Sequence, residues 1–209
     1  MDTDPGSPAA KAHGKGDPRP EVLAENTMSN GFLGNLVEVC IVTRDHRRTM
    51  EGLVRLGIGP WRVHTFTPEN VTGQTYGGGP ASFSLKVCFA EGKNVIWELM
   101  EPLGGPNIIE DFLEEHGEGI HHLAFDCEDM PLEQRIAAFA ERGFPLTQSG
   151  RWLDQNAFAF FGTEEATSAV FETYVFPEGF EYPEPEEWFP APPPPAAEAD
   201  GRAGRRKIQ

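Results

Sequence analysis

Three glutamates and one histidine interrupt apolar runs that otherwise have the composition of buried β-strands. Glu38 lies between Val37 and Val39, and Glu172 lies between Phe171 and Thr173. A carboxylate in the middle of a buried strand is costly unless a partner compensates its charge. A salt bridge can explain one such group, but several at matched positions favour a divalent cation. The candidate ligands are Glu38, Glu98, His122 and Glu172.

A second interpretation of these carboxylates also fits the sequence. They could face solvent on the outer side of an open sheet, or form salt bridges with basic side chains. The basic candidates are Arg44, Arg62, Lys86 and Arg151. An internal repeat favours the metal or polar-site interpretation, because it places the four groups at equivalent points.

The repeat spans residues 34–177 and is the most informative feature of the sequence. The segment VEVCIVTRD (37–45) matches HHLAFDCED (121–129), and each ends in an aspartate that can cap a following helix. Glu38 and His122 lie seven residues before these aspartates, Asp45 and Asp129. Both first strands therefore present an ionisable side chain at the same point on the same face.

Each copy continues with a helical spacing of apolar residues that stops at Gly57 or Gly143, and then with three strand-like runs. The last runs carry Glu98 and Glu172. Half a domain of this size cannot bury both its sheet and its helix. We therefore expect an α+β fold in which two βαβββ modules pair into one cup-shaped mixed sheet. The predicted strands are Trp61–Thr67, Ala81–Ala90, Asn94–Glu101, Pro145–Trp152, Ala157–Gly162 and Ala169–Phe176.

Composition changes sharply at both ends of the 209-residue chain. We expect a disordered tail over 1–33, modules over 34–103 and 118–177, and a Pro-rich acidic tail over 178–209. Four aromatic residues in the second tail leave two interpretations open. The segment could be a mobile tail, or it could dock on the core and wall off a pocket. These residues are Phe180, Tyr182, Trp188 and Phe189.

Charge and hydropathy narrow the classes of partner. The chain has 33 acidic and 17 basic residues, a formal charge of −16, which argues against nucleic acid or an anionic membrane surface as partner. No apolar run approaches the ~20 residues of a membrane span. The three cysteines show neither a disulfide framework nor zinc-ribbon spacing. We expect a soluble, cytoplasmic protein.

The order and spacing of these motifs resemble the vicinal-oxygen-chelate superfamily, which includes glyoxalases, methylmalonyl-CoA epimerases, bleomycin-resistance proteins and extradiol dioxygenases. The resemblance covers about residues 35–176. It is carried by CIVTRDHRRTMEGLVRLGIGPW, WELMEPLGGPNIIEDFLEEHGEGIHHLAF and VFETYVFP. It implies a cup that holds one divalent metal, with ligands at Glu38, Glu98, His122 and Glu172. Since relatives often pair modules between chains, it also implies a possible homodimer.

Two departures from the epimerase pattern refine these expectations. The first ligand there is usually histidine, whereas this chain has Glu38. Three carboxylates and one imidazole favour Mg²⁺, Mn²⁺ or a similar ion such as Co²⁺ or Zn²⁺, and argue against a two-histidine iron site. The strand FSLKVCFA places Lys86 near the position of the epimerase catalytic glutamate. This argues against methylmalonyl-CoA epimerase activity itself.

The function implied is a metal-dependent isomerase, epimerase or lyase that stabilises the enolate of a small carbonyl substrate. Glu98 or Glu172 would act as base, and Lys86 would return a proton or hold an anionic group. Two alternatives remain open: a non-catalytic binding protein of the resistance type, or a ring-forming step in a biosynthetic pathway.

Three other side chains have structural interpretations. His121 should point away from His122 if the strand is regular, and His64 should lie at the surface or a pocket rim. Cys40 shares the face of Glu38 and is expected to be a small buried hydrophobic residue.

Overall fold

The structure is a computed structural model that describes residues 31–194. The helices are α1 (His46–Arg55), α2 (Ile108–Glu115), α3 (Leu132–Glu141) and α4 (Glu164–Thr167), with a 3₁₀ turn at Cys127–Asp129. The strands are β1 (Leu36–Val42), β2 (Trp61–Phe66), β3 (Val71–Tyr76), β4 (Gly79–Pro80), β5 (Ser84–Glu91), β6 (Ile96–Gly104), β7 (Gly119–Phe125), β8 (Leu146–Trp152), β9 (Asn156–Phe161), β10 (Val170–Val175) and β11 (Glu187–Phe189).

The predicted α+β fold of two paired βαβββ modules is confirmed. The first module is β1, α1, β2, β5 and β6, and the second is β7, α3, β8, β9 and β10. The first strands of the two modules, β1 and β7, pair antiparallel at the centre of one mixed sheet. The strand order is β11-β2-β5-β6-β1-β7-β10-β9-β8-β3-β4. Four strands that lie side by side, β6, β1, β7 and β10, therefore form the floor of the cup.

Two additions to the repeat lie at the edges of this sheet. The glycine-rich insertion of the first module forms β3 and β4, and β3 pairs with β8 of the second module. The C-terminal strand β11 pairs with β2 of the first module. Each addition covers what would otherwise be an exposed strand edge.

Apolar side chains form clusters on both faces of the sheet. On the outer face, Met50 of α1 packs in one cluster with Trp61, and Phe139 of α3 stacks on Phe161 with a centroid distance of 3.7 Å. The inner face carries the largest cluster. The sheet curls far enough for Phe66 of β2 to stack on Trp152 of β8, with ring centroids 4.7 Å apart.

The two predicted helix caps behave differently. Asp45 caps α1, because its Oδ1 accepts a hydrogen bond from the Arg48 amide at 2.9 Å. The prediction that Asp129 caps the next helix is wrong: α3 begins after Pro131 with no side-chain cap. A residue that precedes proline is driven to an extended conformation, and Met130 has φ −57° and ψ 138°. This extended residue separates Asp129 from the helix.

The described ends of the chain pack against the modules. Phe32 contacts Phe139 with a centroid distance of 4.8 Å. At the other end, Tyr182 belongs to the inner cluster and Phe189 packs against the outer cluster around Trp61. The predicted tail residues 1–30 and 195–209 lie outside the described residues. Within 31–194, no helix has the length and apolar character required to cross a membrane.

Candidate metal and ligand site

The four side chains singled out by the repeat converge on the inner face of the cup. They lie on the adjacent strands β1, β6, β7 and β10, where Cys40 pairs in register with both Glu98 and His122. One carboxylate oxygen of each glutamate and one ring nitrogen of the histidine all lie within 4.8 Å of one another. The residues are Glu38, Glu98, His122 and Glu172, and their exposed fractions are 3%, 3%, 0% and 4%.

The histidine cannot satisfy all of these carboxylates. His122 Nε2 lies 3.0 Å from Glu98 Oε2 and 3.2 Å from Glu172 Oε2. One ring nitrogen carries at most one hydrogen, so it donates to one acceptor at a time. Within the described chain, Glu172 Oε2 is buried and has no hydrogen-bond donor. Such an oxygen is the kind of group that a bound cation satisfies.

The salt-bridge interpretation of the glutamates does not match the described ion pairs. Arg44 pairs with Glu110, Arg62 with Glu91, and Lys86 with Glu186. These three basic side chains are therefore engaged elsewhere, and the cationic partner of Glu98 and Glu172 is the imidazole of His122.

The titration behaviour reflects this excess of acidic groups. Burial, followed by the charges of Glu98 and Glu172, raises the pKa of Glu38 well above its ordinary value. Burial also raises the pKa of Glu172, although His122 opposes the shift. Burial alone would lower the pKa of His122, but its contacts with Glu172 and Glu98 outweigh that effect and raise the pKa to about 9. In the absence of a metal, protons are therefore needed to offset the crowding of negative charge.

The donor set fits a divalent cation. Oxygen and imidazole ligands bind Mg²⁺, Mn²⁺ or Zn²⁺ at about 2.0–2.2 Å, so two ligands of one ion lie at most ~4.4 Å apart. The observed limit of 4.8 Å requires only a small contraction. The Cys40 thiol, with Glu98 and His122, forms a second group of possible ligands. However, burial raises the pKa of this thiol well above its usual value, which disfavours the thiolate form.

A narrow cavity opens directly above the carboxylates. Its interior offers about 30 Å³ to the centres of water molecules, which is room for only a few waters. Glu38, Glu98 and Glu172 are all part of its wall. The other lining residues are Phe66, Leu85, Phe89, Met100, Asn156, Phe158, Phe160, Tyr174, Phe176 and Tyr182.

The C-terminal segment 177–189, called the strap here, contributes to this wall. Tyr182 lies 6.0 Å from Phe89 and 6.2 Å from Trp152 between ring centroids. The guanidinium of Arg62 lies 3.9 Å from the centre of the Tyr182 ring, and β11 joins the strap to the sheet. Of the two interpretations of the aromatic tail, the docked one therefore describes residues 177–189.

Lys86 is not part of the cluster or of the cavity wall. Its Nζ donates to Glu186 Oε2 at 2.9 Å and to Thr65 Oγ1. Side chains alternate along a strand, so the inward direction of Leu85 and Val87 in β5 directs Lys86 to the opposite face. The expected catalytic role of Lys86 therefore has no geometric support.

His121 lies beside His122 and does not point away from it. The pairing of β1 with β7 shifts register between Cys40 and Ile41, a β-bulge that breaks the regular alternation of β7. The Nδ1 atoms of the two histidines are 2.8 Å apart, and His121 is 2% exposed. Sequence reasoning missed this contact because it assumed a regular strand.

His64 is buried, contrary to the expected surface or rim position. It is 5% exposed and lies 5.1 Å from Trp152 between ring centroids. Its Nε2 is buried with no hydrogen-bond partner among the described residues. Burial, assisted by the positive charge of Arg62, lowers its pKa to about 4. His64 is therefore neutral near pH 7.

Comparison with known proteins identifies the family. The sequence profile described as the Glyoxalase/Bleomycin resistance protein/Dioxygenase superfamily matches residues 38–160, more than half of the chain. The chain belongs to this superfamily. The match includes Glu38, Glu98 and His122 and ends before Glu172.

Individual relatives agree with this assignment. The uncharacterized protein YqjC of Bacillus subtilis is 31% identical over 106 residues, which cover 49% of this chain and 72% of that protein. The match to a hypothetical protein from Bacillus halodurans has 22% sequence identity and a TM-score of 0.53. It covers 71% of this chain and 98% of that protein. The match to a methylmalonyl-CoA epimerase from Mycobacterium tuberculosis has 20% sequence identity and a TM-score of 0.51. It covers 74% of this chain and 94% of that protein. At such identities, the similarity of the solved structures establishes the fold alone.

Proposed function

We propose that the chain is a metal-dependent enzyme that removes a proton next to the carbonyl of a small substrate, as an isomerase, epimerase or lyase does. The observation that carries this proposal is the buried quartet at the floor of a narrow cavity. Three of its members, Glu38, Glu98 and Glu172, line that cavity. The chemistry in question needs both a cation site and a base beside the same substrate.

The cation would be held by Glu38, Glu98, His122 and Glu172. A divalent ion bound there supplies Lewis-acid stabilisation of the negative charge that develops on the carbonyl oxygen. Proton removal itself needs a side chain that contacts the substrate. Glu172 suits this role because it lines the cavity, and a carboxylate that binds a cation through one oxygen keeps its other oxygen free to accept a proton. Lys86 takes no part, since it bonds Glu186 away from the cavity.

Cation binding is the first test. Mass-spectrometric metal analysis and calorimetric titration with Mn²⁺ should show one ion per chain. Glu172→Gln and His122→Ala should each weaken Mn²⁺ binding by about 100-fold, because each removes one of four ligands. Glu178→Gln is the matched control, since Glu178 is exposed only six residues away. Stoichiometric binding that survives both ligand substitutions would contradict the proposed site.

Proton exchange is the second test, and it separates an enzyme from a binding protein. Small ketones and diketones with α-protons should exchange those protons for deuterium in deuterated water when the Mn²⁺-loaded chain is present. At a Mn²⁺ concentration that saturates the variant, Glu172→Gln should slow exchange by about 10² to 10⁴, the range that general-base catalysis contributes. A resistance-type binding protein would bind such compounds and leave their α-protons unexchanged.

A further inference from the structure

The residues of the described chain that line the cavity include acidic side chains but no basic ones. Seven aromatic side chains and two aliphatic ones line it, with Glu38, Glu98 and Glu172 at the floor. Its remaining polar side chain is Asn156, whose amide nitrogen donates to Val175 O at 3.3 Å. Among the described residues that line the cavity, none is lysine, arginine or histidine.

The basic residues nearest to the cavity are held outside it. Arg62 lies over the Tyr182 ring and pairs with Glu91 at 3.0 Å. Lys86 is bonded to Glu186 of the strap. The imidazole of His122 faces the carboxylates of Glu98 and Glu172. No basic side chain in the described cavity wall is therefore available to a carboxylate or phosphate on an incoming molecule.

A bound cation does not make the floor of the cavity positive. The three carboxylates that line it outnumber the two charges of a divalent ion. An anionic ligand close to such a floor is repelled, because charges of the same sign repel strongly where only a few waters screen them. An anionic ligand would experience this repulsion without a compensating basic side chain in the wall.

We propose that the ligand of this cup is a compact, uncharged molecule with an apolar or aromatic body, and that carboxylates, phosphates and coenzyme A thioesters are excluded. The expectation that oxygens of the ligand face the cation rests on the proposed function. The expected charge, size and apolar body of the ligand rest on the cavity wall. The small interior limits the size of the ligand, and the aromatic rings, including Tyr182 of the strap, provide surfaces on which a flat apolar body packs.

Matched probes test the charge preference. Calorimetric titration of the full chain, with Mn²⁺ and again after its removal, compares 2,3-butanedione, its carboxylated analogue pyruvate and methylmalonyl-CoA. The neutral diketone should bind, and the carboxylated analogue should bind about tenfold more weakly or worse. Methylmalonyl-CoA should show no heat of binding. Equal or tighter binding of either anion overturns the inference, and so does failure of the diketone to bind at millimolar concentration.

A charge introduced into the wall provides the complementary test. Tyr182→Lys should reduce the preference for the neutral probe at least about threefold, because it places a cation beside the ligand. Tyr76→Lys is the control, since Tyr76 bonds Asp111 and lies outside the cavity wall. An equal change in both variants would mean that only the overall charge matters, and would overturn the inference. Failure of Mn²⁺ to bind would instead contradict the proposed function, because the metal-free titrations still measure the cavity.

Discussion

His122 is positioned by contacts on both of its ring nitrogens. Nε2 faces Glu98 and Glu172, while Nδ1 lies 2.8 Å from Nδ1 of His121. When a neutral imidazole binds a cation through Nε2, its Nδ1 carries the hydrogen and needs an acceptor. His121 supplies that acceptor, and Phe112 packs against its ring with a centroid distance of 4.9 Å. The contact therefore supports the tautomer and ring orientation that the proposed ligation by His122 requires.

The loss of this contact should weaken cation binding without removing a ligand. His121→Ala is expected to reduce Mn²⁺ affinity by about 10- to 100-fold, the usual effect of losing an outer-sphere hydrogen bond. The measurement is calorimetric titration. His116→Ala is the control, because His116 is an exposed histidine at the C-terminal end of α2. Equal affinities of wild type and His121→Ala would show that the contact does not position His122.

The carboxylate cluster is expected to destabilise the metal-free chain. Burial and two like charges raise the pKa of Glu38, so its ionised form is less favourable in the folded state than in the unfolded chain. Glu38→Gln keeps the size of the side chain and removes the charge. We expect it to raise the free energy of unfolding of the metal-free protein by about 1 kcal/mol, measured with urea at pH 7.

A matched substitution shows whether this gain belongs to the cluster. Glu51→Gln removes one acidic charge from the exposed surface of α1 and should change the unfolding free energy by less than about 0.5 kcal/mol. If Glu38→Gln destabilised the metal-free chain, the described crowding of carboxylates would not be a source of strain.

At the scale of elements, the two modules start their helices by different means. The Asp45 side chain caps α1, whereas α3 begins after an extended residue and Pro131 with no side-chain cap. The repeat is therefore preserved in strand order and ligand position but not in every local hydrogen bond. Glu38 in β1 and His122 in β7 keep matching places in the repeat, although the helices that follow start differently.

The cap of α1 should have a measurable effect on stability. Asp45→Ala removes the acceptor for the Arg48 amide and should lower the free energy of unfolding by about 1 kcal/mol in urea titration. Asp45→Asn should retain most of the stability, because its side-chain oxygen can accept the same bond. Equal losses in the two variants would indicate that the charge of Asp45 matters more than its capping bond.

On the scale of the whole molecule, closure of the cup buries a histidine that comes from the edge of the first module. His64 of β2 meets Trp152 of β8 only because the sheet curls. Burial, assisted by Arg62, lowers the pKa of His64 to about 4, below the value of about 6.5 for an unfolded chain. The unfolded state therefore takes up this proton first as the pH falls. The resulting stability is fully present above about pH 6.5 and is lost toward pH 4.

A substitution isolates this contribution from the other titrating groups. His64→Gln should reduce the loss of stability between pH 7 and pH 5 by about 1 kcal/mol, a figure that allows for solvent screening. The measurement is urea unfolding of both proteins at the two pH values. His116→Gln, at an exposed histidine, is the control. The same pH dependence in wild type and His64→Gln would contradict a buried, neutral His64.

The sequence by itself determined the repeat, and with it the paired modules and the strand positions of Glu38, Glu98, His122 and Glu172. These features depend on local periodicity and on the spacing between equivalent residues. Both can be recognised in a single sequence. The outward direction of Lys86 could also be predicted from the sequence, because its neighbours Leu85 and Val87 are apolar and side chains alternate along a strand. The family resemblance instead suggested a catalytic role for Lys86.

Only the tertiary structure decided the surroundings of the quartet. The bulge that brings His121 to His122 is a register shift between two strands distant in sequence. The burial of His64 depends on contact between opposite edges of the sheet, and the strap becomes a wall through its contacts with Arg62 and Lys86. Such features are set by long-range packing, because the neighbours of a residue do not specify which distant surface it meets.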